Sequence, residues 1–224
     1  DGDGYGVTTD VVYACSQPDG YVIAADDCND DNAAVYPGAP EICDGVANDC
    51  DLNTTVEPMS AIFTDLSGVS TDMTLDFSGT LLSPSPVTLY DDGVLELCGD
   101  FYATLTIATE VMTVKSSPGG YMSTLDAAQS DHVIAMAFPN STILLENIRI
   151  TGGYAMDGGG VFNPQNPNGN NDISIVGCDI SGNHAWDDGG GIHLYFASLN
   201  IVDSFVHGNV ADNSGGGIYT SEIP

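Results

Sequence analysis

The sequence predicts a mostly β protein in which a small loop-rich module precedes a right-handed parallel β-helix, or solenoid. Two observations predict this division. Residues 1–51 contain four of the six cysteines and 12 of the 32 acidic residues. Residues 91–224 contain a lower proportion of acidic residues, are rich in Val, Ile, Leu, Thr and Gly, and end in a repeat. We assign residues 52–90 to a linker and the first strands.

The repeat predicts the solenoid. Three segments, beginning at Ile143, Ile173 and Leu199, follow one another at offsets of 30 and then 26 residues. The corresponding positions are Gly152, Gly182 and Gly208, then Ala155, Ala185 and Ala211, then the triple glycines at 158–160, 189–191 and 215–217. A period in this range indicates a stacked array in which each repeat buries its apolar face on the next. We expect Asn183 and Asn209 to stack at a corner and to hydrogen-bond between repeats.

Short apolar alternations upstream of the repeat predict further strands. They are separated by Gly, Pro, Asp and Ser turns, and none shows the spacing of an amphipathic helix. The predicted strands include residues 61–64, 73–77, 95–98, 104–107, 112–114 and 133–136. The longer offset in the repeat reflects an extra Asn/Pro/Gly-rich loop at 163–171, which we expect to protrude at a corner.

Charge excludes several partners. The formal net charge is −30, and Lys115 and Arg149 are the only Lys or Arg residues. Phosphate backbones require Lys and Arg, so nucleic acid is excluded, and anionic membrane surfaces are disfavoured for the same reason. No apolar run reaches the roughly 18 residues that a membrane helix needs. A folded domain of this charge repels itself unless cations neutralise it, so divalent cations are the expected partners.

The cysteines indicate disulfides and an oxidising, extracellular compartment. Zinc is the competing interpretation, but the chain has no Cys-x2-Cys pair and no His before His132. Four clustered cysteines allow three pairings. Short loops favour Cys15–Cys28 and Cys43–Cys50, while the isolated Cys98 and Cys178 are interpreted as small buried hydrophobes. With no signal peptide and no initiator Met, we expect a processed protein or a piece of a longer one.

The acidic segment carries a specific family pattern. Asp1-Gly-Asp-Gly-Tyr-Gly is followed by Asp27-Cys-Asn-Asp, Val35-Tyr-Pro-Gly-Ala-Pro-Glu and Asn48-Asp-Cys-Asp. This pattern resembles the MopE-type metal-binding repeat of secreted bacterial proteins, and in style the thrombospondin type 3 repeat. The resemblance implies metal binding throughout residues 1–51. A member of the family is known for copper, whereas most of its repeats look like calcium loops.

The residues themselves favour several calcium ions over copper. Carboxylates alternate with glycines, and calcium takes six to eight oxygen ligands, whereas copper and zinc prefer His or thiolate. The first predicted site combines Asp1, Asp3, the Tyr5 carbonyl and Asp10 with Asp27, Asn29, Asp30 and Asp31. The second predicted site combines Glu41, Asp44, Asn48, Asp49 and Asp51.

The remainder of the chain carries a second resemblance. The segment from Asp92 to Tyr102 and the Ser-Gly-Asn-x-Ala…Gly-Gly-Gly-Ile repeats resemble pectin-lyase-like β-helices of bacterial surface proteins and chlamydial polymorphic outer-membrane proteins. The resemblance implies a fold and does not by itself imply a function.

Three functions remain open. We expect a secreted, non-enzymatic, calcium-binding structural protein that assembles with itself or with cell-surface components into a filament or scaffold. An adhesin or glycan-binding module that uses the loops at 163–171 and 116–121 is the alternative. Trp186 and the tyrosines are a candidate platform for neutral sugars, although a structural role for them is favoured. A polysaccharide lyase or hydrolase is disfavoured. Asp187 and Asp188 are paired carboxylates near several histidines, but a lyase also needs a nearby base, and both Lys115 and Arg149 lie well upstream.

Overall fold

A computed structural model describes residues 1–9, 11–51, 59–164 and 169–221. Contacts divide the chain into two compact units. The first comprises Asp1–Pro58 with Pro118–Tyr121, and the second comprises Met59–Ser117 with Met122–Pro224. Residues 52–58 of the predicted linker, and the predicted ligand Asp10, lie outside the described residues.

The first unit consists of turns and bends, and its described residues form no helix and no strand. Local backbone hydrogen bonds organise it, such as those from the Asn32 N–H to the Asn29 carbonyl and from the Val35 N–H to the Asn32 carbonyl. Its apolar interior is small, and Val35 and Ala39 are its buried hydrophobic residues among those described. A segment this rich in Gly and Asp cannot bury a large core, so it depends on covalent and polar links.

The second unit is built from twenty short strands and, within its described part, contains no helix. The strands are β1 (Ser60–Asp65), β2 (Ser70–Asp72), β3 (Ser85–Leu89), β4 (Gly93–Cys98), β5 (Asp100–Ile107), β6 (Val111–Ser116), β7 (Ser123–Asp126), β8 (Ile134–Met136), β9 (Thr142–Glu146), β10 (Ile148–Thr151), β11 (Tyr154–Ala155), β12 (Val161–Asn163), β13 (Asn171–Val176), β14 (Asp179–Ser181), β15 (His184–Ala185), β16 (Ile192–Tyr195), β17 (Ala197–Val202), β18 (Phe205–His207), β19 (Val210–Ala211) and β20 (Ile218–Ser221). The protein is therefore mostly β, as predicted.

Successive repeats pair through parallel strands. The last three repeats contribute four strands each, and every strand pairs with its equivalent in the next repeat, as in β9–β13–β17 and β10–β14–β18. Ile143 pairs with Ile173, and Ile173 pairs with Leu199, which reproduces the predicted offsets of 30 and 26 residues. The register places equivalent side chains in columns, so that apolar positions stack on apolar positions.

The core of the second unit is formed mainly by buried apolar residues of these paired strands. Residues alternate between buried and partly exposed along β13, where Ile173 and Ile175 are fully buried. Ile180 on β14, and Ile192 and Leu194 on β16, are also buried. Apolar columns of this kind supply about 25 cal/mol for each Å² removed from water, which makes them the main source of stability in the second unit.

One predicted strand is wrong. Residues 73–77 alternate apolar and polar side chains, but the chain turns there instead of pairing. The Asp72 carboxylate accepts a hydrogen bond from the Thr74 N–H, and the Phe77 N–H donates to the Met73 carbonyl. This turn delivers the fully buried Phe77 ring to an edge-to-face contact with Phe101. Packing of one aromatic residue has therefore overridden the local strand pattern.

One sheet contains seven strands in the order β17-β13-β9-β6-β4-β1-β2, and its two edge strands differ in how they pair. At one edge, β1 pairs antiparallel with β4 and with the exposed, polar β2. At the other edge, β17 repeats the parallel pairing of β13 and β9. A short polar antiparallel strand is a common way to terminate a sheet. No helix long and apolar enough to cross a membrane occurs in the described part of the chain.

Candidate metal centre

Three carboxylates of the first unit converge. Oxygen atoms of Asp1, Asp27 and Asp30 lie within 4.8 Å of one another. Asp27 is buried, whereas Asp1 and Asp30 are exposed. At neutral pH such a group concentrates three negative charges, which repel one another unless a cation lies between them.

Repeated turns aim these side chains. In each, the carboxylate accepts a hydrogen bond from the backbone N–H two residues later: Asp1 from Asp3 at 3.1 Å, Asp3 from Tyr5 at 2.8 Å, and Asp27 from Asn29 at 2.8 Å. Asp favours this turn because its short side chain reaches its own backbone. The intervening glycines, with φ of 106° at Gly2 and 98° at Gly4, adopt a conformation that other residues rarely take.

Long-range contacts bring the two acidic stretches together. The Asp27 N–H donates to the Gly6 carbonyl at 3.2 Å. The Tyr5 ring stacks on Tyr36, with centroids 5.4 Å apart and planes inclined by 12°. These contacts hold the start of the chain against residues 27–36, so carboxylates distant in sequence share one site.

Two carboxylate oxygens in this region have no hydrogen-bond donor. Asp27 is only 6 % exposed, and its Oδ2 atom, like Oδ2 of Asp3, is buried and accepts no hydrogen bond from any described residue. A buried carboxylate oxygen without a donor is costly, and a cation would remove that cost. Asp27 combines such an oxygen with membership of the three-carboxylate group, which makes it the centre of the candidate site.

The predicted ligands Asn29, Asp31 and Asp10 are not among the three converging carboxylates. Asn29 donates its backbone N–H to Asp27 and accepts a bond from the Asn32 N–H at its carbonyl. Asp31 is exposed and is not a member of the three-carboxylate group. Asp10 lies outside the described residues. Asp1, Asp27 and Asp30 are therefore the predicted ligands that the structure brings together most closely.

Residues of the second predicted metal site accept hydrogen bonds from backbone N–H groups of their own segment. Glu41 accepts from the Asp49 N–H at 2.8 Å, Asp44 from Val46 at 2.9 Å, and Asp49 from Asp51 at 2.8 Å. Asn48 is fully buried; its carbonyl oxygen accepts from the Ile42 N–H, and its amide donates to the Ala34 carbonyl. Within the described residues, the acids of this set form no three-donor group as compact as that around Asp27.

The predicted cysteine pairing is wrong. Cys28 is bonded to Cys50, across 22 residues, and Cys15 is an exposed free thiol. Cys43 and Cys98 are also disulfide-bonded, so Cys98 is not the simple hydrophobe that its context suggested. Cys178 is a buried free cysteine, as predicted. Loop-closure entropy changes only slowly with loop length, which is why the preference for short loops did not decide the pairing.

The donor set suits a hard cation. Carboxylate oxygens such as those of Asp1, Asp27 and Asp30 are ligands that Ca²⁺ uses. The sulfurs of Cys28 and Cys50 also lie within 4.8 Å of an Asp27 oxygen, but they are consumed by their disulfide. Sequence reasoning missed this proximity because the spacing of the cysteines carries no signal for it.

The basic and imidazole groups of the second unit are paired with acids. Lys115 contacts Glu96 on the neighbouring strand at 3.0 Å, and Arg149 contacts Asp179 at 3.3 Å. The histidines of the repeats pair with separate acids, His184 with Asp212, His193 with Asp157 and His207 with Asp179. These contacts connect neighbouring repeats and do not assemble the histidines around one pair of carboxylates.

Comparison with known proteins supports the metal-binding interpretation. Residues 27–54 match a family model described as a metal-binding motif and named for copper binding in MopE. The resemblance predicted for residues 1–51 is therefore confirmed for its second half, and the match covers a minority of the chain. No curated protein and no solved structure is significantly similar to the chain.

Proposed function

We propose that this chain is a secreted, calcium-binding structural protein in which Asp1, Asp27 and Asp30 hold a Ca²⁺ ion. The observation that carries the proposal is the buried, donor-free Oδ2 atom of Asp27 inside a group of three carboxylates. The ion neutralises that group and ties residues 1–6 to residues 27–30. Metal binding in such a segment is coupled to its folding, because its apolar interior is small and otherwise only disulfides and local hydrogen bonds order it.

The choice of calcium rests on ligand chemistry. Copper(I) and zinc prefer thiolate or imidazole, and the three-carboxylate group contains neither. The disulfides support secretion, since disulfides persist in oxidising compartments. Copper remains the alternative that the name of the family model supports.

Calorimetric titration of the full chain with Ca²⁺ tests the site, with Asp27→Asn as the variant and Asp19→Asn as the matched control. Asp19 is an exposed acid of the same unit outside the carboxylate group. We expect Asp27→Asn to weaken Ca²⁺ binding by about tenfold or more, equivalent to about 1.4 kcal/mol, and Asp19→Asn to leave it unchanged. Equal affinities in the two variants, or tight binding of Cu²⁺ in place of Ca²⁺, would contradict the proposal.

For the second unit we propose a right-handed β-solenoid that acts as a scaffold. Parallel pairing of equivalent strands in successive repeats supports this architecture. Each strand of the last described repeat, β17 to β20, lies at an end of its sheet, whereas the opposite edge of the seven-stranded sheet carries the antiparallel β2. Edge strands of this kind present backbone groups that can pair with a strand of another subunit.

Electron microscopy and light scattering with Ca²⁺ and with EGTA test assembly. Filaments that form in Ca²⁺ and dissociate in EGTA would support a calcium-bridged polymer of this strongly acidic chain. A monomer under both conditions would contradict self-assembly and would favour a single module attached to the cell surface.

The ion pairs of Lys115 and Arg149 favour a non-enzymatic role. A polysaccharide lyase needs a basic group free to abstract a proton, whereas Lys115 and Arg149 each form an ion pair with an acid on a neighbouring strand. Assays against uronate polysaccharides should therefore show no increase in the ultraviolet absorbance of unsaturated products, and a measurable rate would overturn this part of the proposal.

A glycan-binding surface is the second candidate, and one observation favours it. Trp186 is 54 % exposed and contacts Tyr154 edge to face at 5.3 Å on the outer side of the β11–β15–β19 sheet. Exposed aromatic rings are typical platforms for sugars and for protein partners. Binding to a glycan array that is lost in Trp186→Ala would establish this function.

A further inference from the structure

Two sulfur atoms lie beside the buried carboxylate of the first unit. The Sγ atoms of Cys28 and Cys50 and an oxygen of Asp27 are within 4.8 Å of one another. Asp27 is 6 % exposed, and its Oδ2 atom accepts no hydrogen bond in the described part of the chain. Three possible ligand atoms therefore converge at one corner, and one of them is a buried carboxylate oxygen that lacks a partner.

We propose that reduction of the Cys28–Cys50 disulfide converts this corner into a site for a thiophilic metal ion, Cu(I) or Zn(II), bound by two thiolates and the Asp27 carboxylate. Both ions favour sulfur ligands, and two thiolates with an oxygen donor are a ligand set that zinc accepts. This proposal is linked to the proposed calcium-binding function through Asp27, which is a ligand in both sites.

The chemistry balances with a dithiol as reductant. The dithiol attacks the disulfide, the Cys28–Cys50 bond breaks, and the reductant leaves as its own cyclic disulfide after giving up two electrons and two protons. The two cysteine thiols then lose their protons to solvent as the metal–sulfur bonds form. Cys28 is exposed and Cys50 is half-buried, so a small dithiol can reach the bond.

The two forms prefer different ions because they present different donors. The disulfide form offers the oxygens of Asp1, Asp27 and Asp30, which suit Ca²⁺, whereas the dithiol form adds two sulfur donors beside Asp27. Since Asp27 belongs to both groups, occupancy of one site weakens the other.

Cd²⁺ is the probe for the test, since its bonds to thiolates absorb in the near ultraviolet. The full chain is reduced with dithiothreitol, freed of reductant by anaerobic desalting, and titrated with Cd²⁺ beside the untreated protein. We expect reduction to add a thiolate-to-metal absorbance band that saturates at about one equivalent, above the signal that the free Cys15 thiol gives in the oxidised chain. Absence of the band after reduction would overturn the proposal.

Cysteine variants test whether the Cd²⁺–thiolate absorbance band arises from Cys28 and Cys50. The double variant Cys28→Ser/Cys50→Ser should lose it, whereas Cys43→Ser/Cys98→Ser, which removes the other disulfide-bonded cysteines, should keep it. A band that persists without Cys28 and Cys50 would overturn the proposal.

Two single carboxylate variants provide a test that leaves every cysteine in place. Asp27→Asn should weaken Cd²⁺ binding to the reduced chain by about tenfold, while Asp30→Asn should leave it unchanged and weaken only Ca²⁺ binding to the oxidised chain. Equal Cd²⁺ affinities in the two variants would remove Asp27 from the thiolate site. Failure of Ca²⁺ binding with the Cd²⁺ band intact would overturn the calcium proposal alone.

Discussion

The side-chain carbonyl oxygen of Asn209 accepts hydrogen bonds from both the backbone N–H and the side-chain amide of Asn183, each at 3.0 Å. Asn183 in turn accepts from the Gly153 N–H at 2.9 Å and donates to the Ile150 carbonyl. The two residues are equivalent positions in successive repeats, so this contact fastens one repeat to the next at the corner.

Replacing Asn183 should therefore destabilise the second unit. Asn183→Ala removes the side-chain hydrogen bonds to the Gly153 N–H and the Ile150 carbonyl in a site that is 1 % exposed. We expect a loss of about 2–3 kcal/mol in the free energy of unfolding, measured by chemical denaturation. Asn200→Ala, at an exposed position of β17, is the control and should change stability by less than about 0.5 kcal/mol. Similar losses in both variants would show that the corner contact is not important.

Glycines in the repeat fulfil two different requirements, and a pair of variants separates them. A Cβ atom at Gly190 would lie 2.1 Å from the Val210 carbonyl oxygen, whereas at Gly208 it would meet nothing within 4 Å but would sit on a backbone with φ of 61°. We expect Gly208→Ala to cost about 1 kcal/mol, and Gly190→Ala to cost several times more or to prevent folding. Thermal unfolding followed by circular dichroism measures both, and equal effects would contradict the close approach at Gly190.

Asp92 should make stability depend on pH in the acid range. The Thr109 hydroxyl, and then the Val111 and Glu110 N–H groups, donate to its carboxylate and lower its pKa below the ordinary value. A lowered pKa gives stability that is present above the unfolded-state pKa of about 3.9 and is lost as pH falls through the folded-state value.

Asp92→Asn should consequently be less stable than the wild type at pH 7, by about 1 kcal/mol, and the difference should shrink below about pH 4. Urea unfolding across this range measures it. The neighbouring exposed Asp91 provides the control, since Asp91→Asn should show no such convergence. A constant difference between the wild type and Asp92→Asn at all pH values would remove the charge of Asp92 as the cause.

The two free cysteines should differ in reactivity. Cys15 is exposed, whereas Cys178 is buried, and burial raises the pKa of the Cys178 thiol. Thiolates are the reactive species, so iodoacetamide should label Cys15 in the native protein and Cys178 only after unfolding. Peptide mass spectrometry without reductant reads out both sites, and labelling of Cys28 or Cys50 would contradict the observed disulfide.

Patterns that repeat in the sequence were predicted well. The glycine columns, the offsets of 30 and 26 residues and the Asn183–Asn209 contact follow from stacking equivalent positions, and the structure confirms each of them. Asp1, Asp27 and Asp30 were assigned to one metal site from the sequence, and their oxygen atoms lie within 4.8 Å of one another, while the binding of an ion there stays a prediction.

Features that depend on contacts between distant segments were not predictable. The Cys28–Cys50 bond joins residues 22 positions apart, and nothing in the spacing distinguishes it from the shorter pairings. Residues 73–77 alternate like a strand, yet burial of Phe77 against Phe101 imposes a turn. Both outcomes are decided by what packs beside the residue in space, and a single sequence does not contain that information.

The ends of β12 and β13 are joined by a direct contact between side chains. The Asn171 amide donates to the Asn163 carbonyl oxygen at 2.6 Å, and both residues are buried. This hydrogen bond holds the end of β12 and the start of β13 next to each other. The position therefore offers a point at which evolution can lengthen the chain, or a protein engineer can graft a binding loop or a fluorescent domain, at the small entropic cost of a longer closed loop.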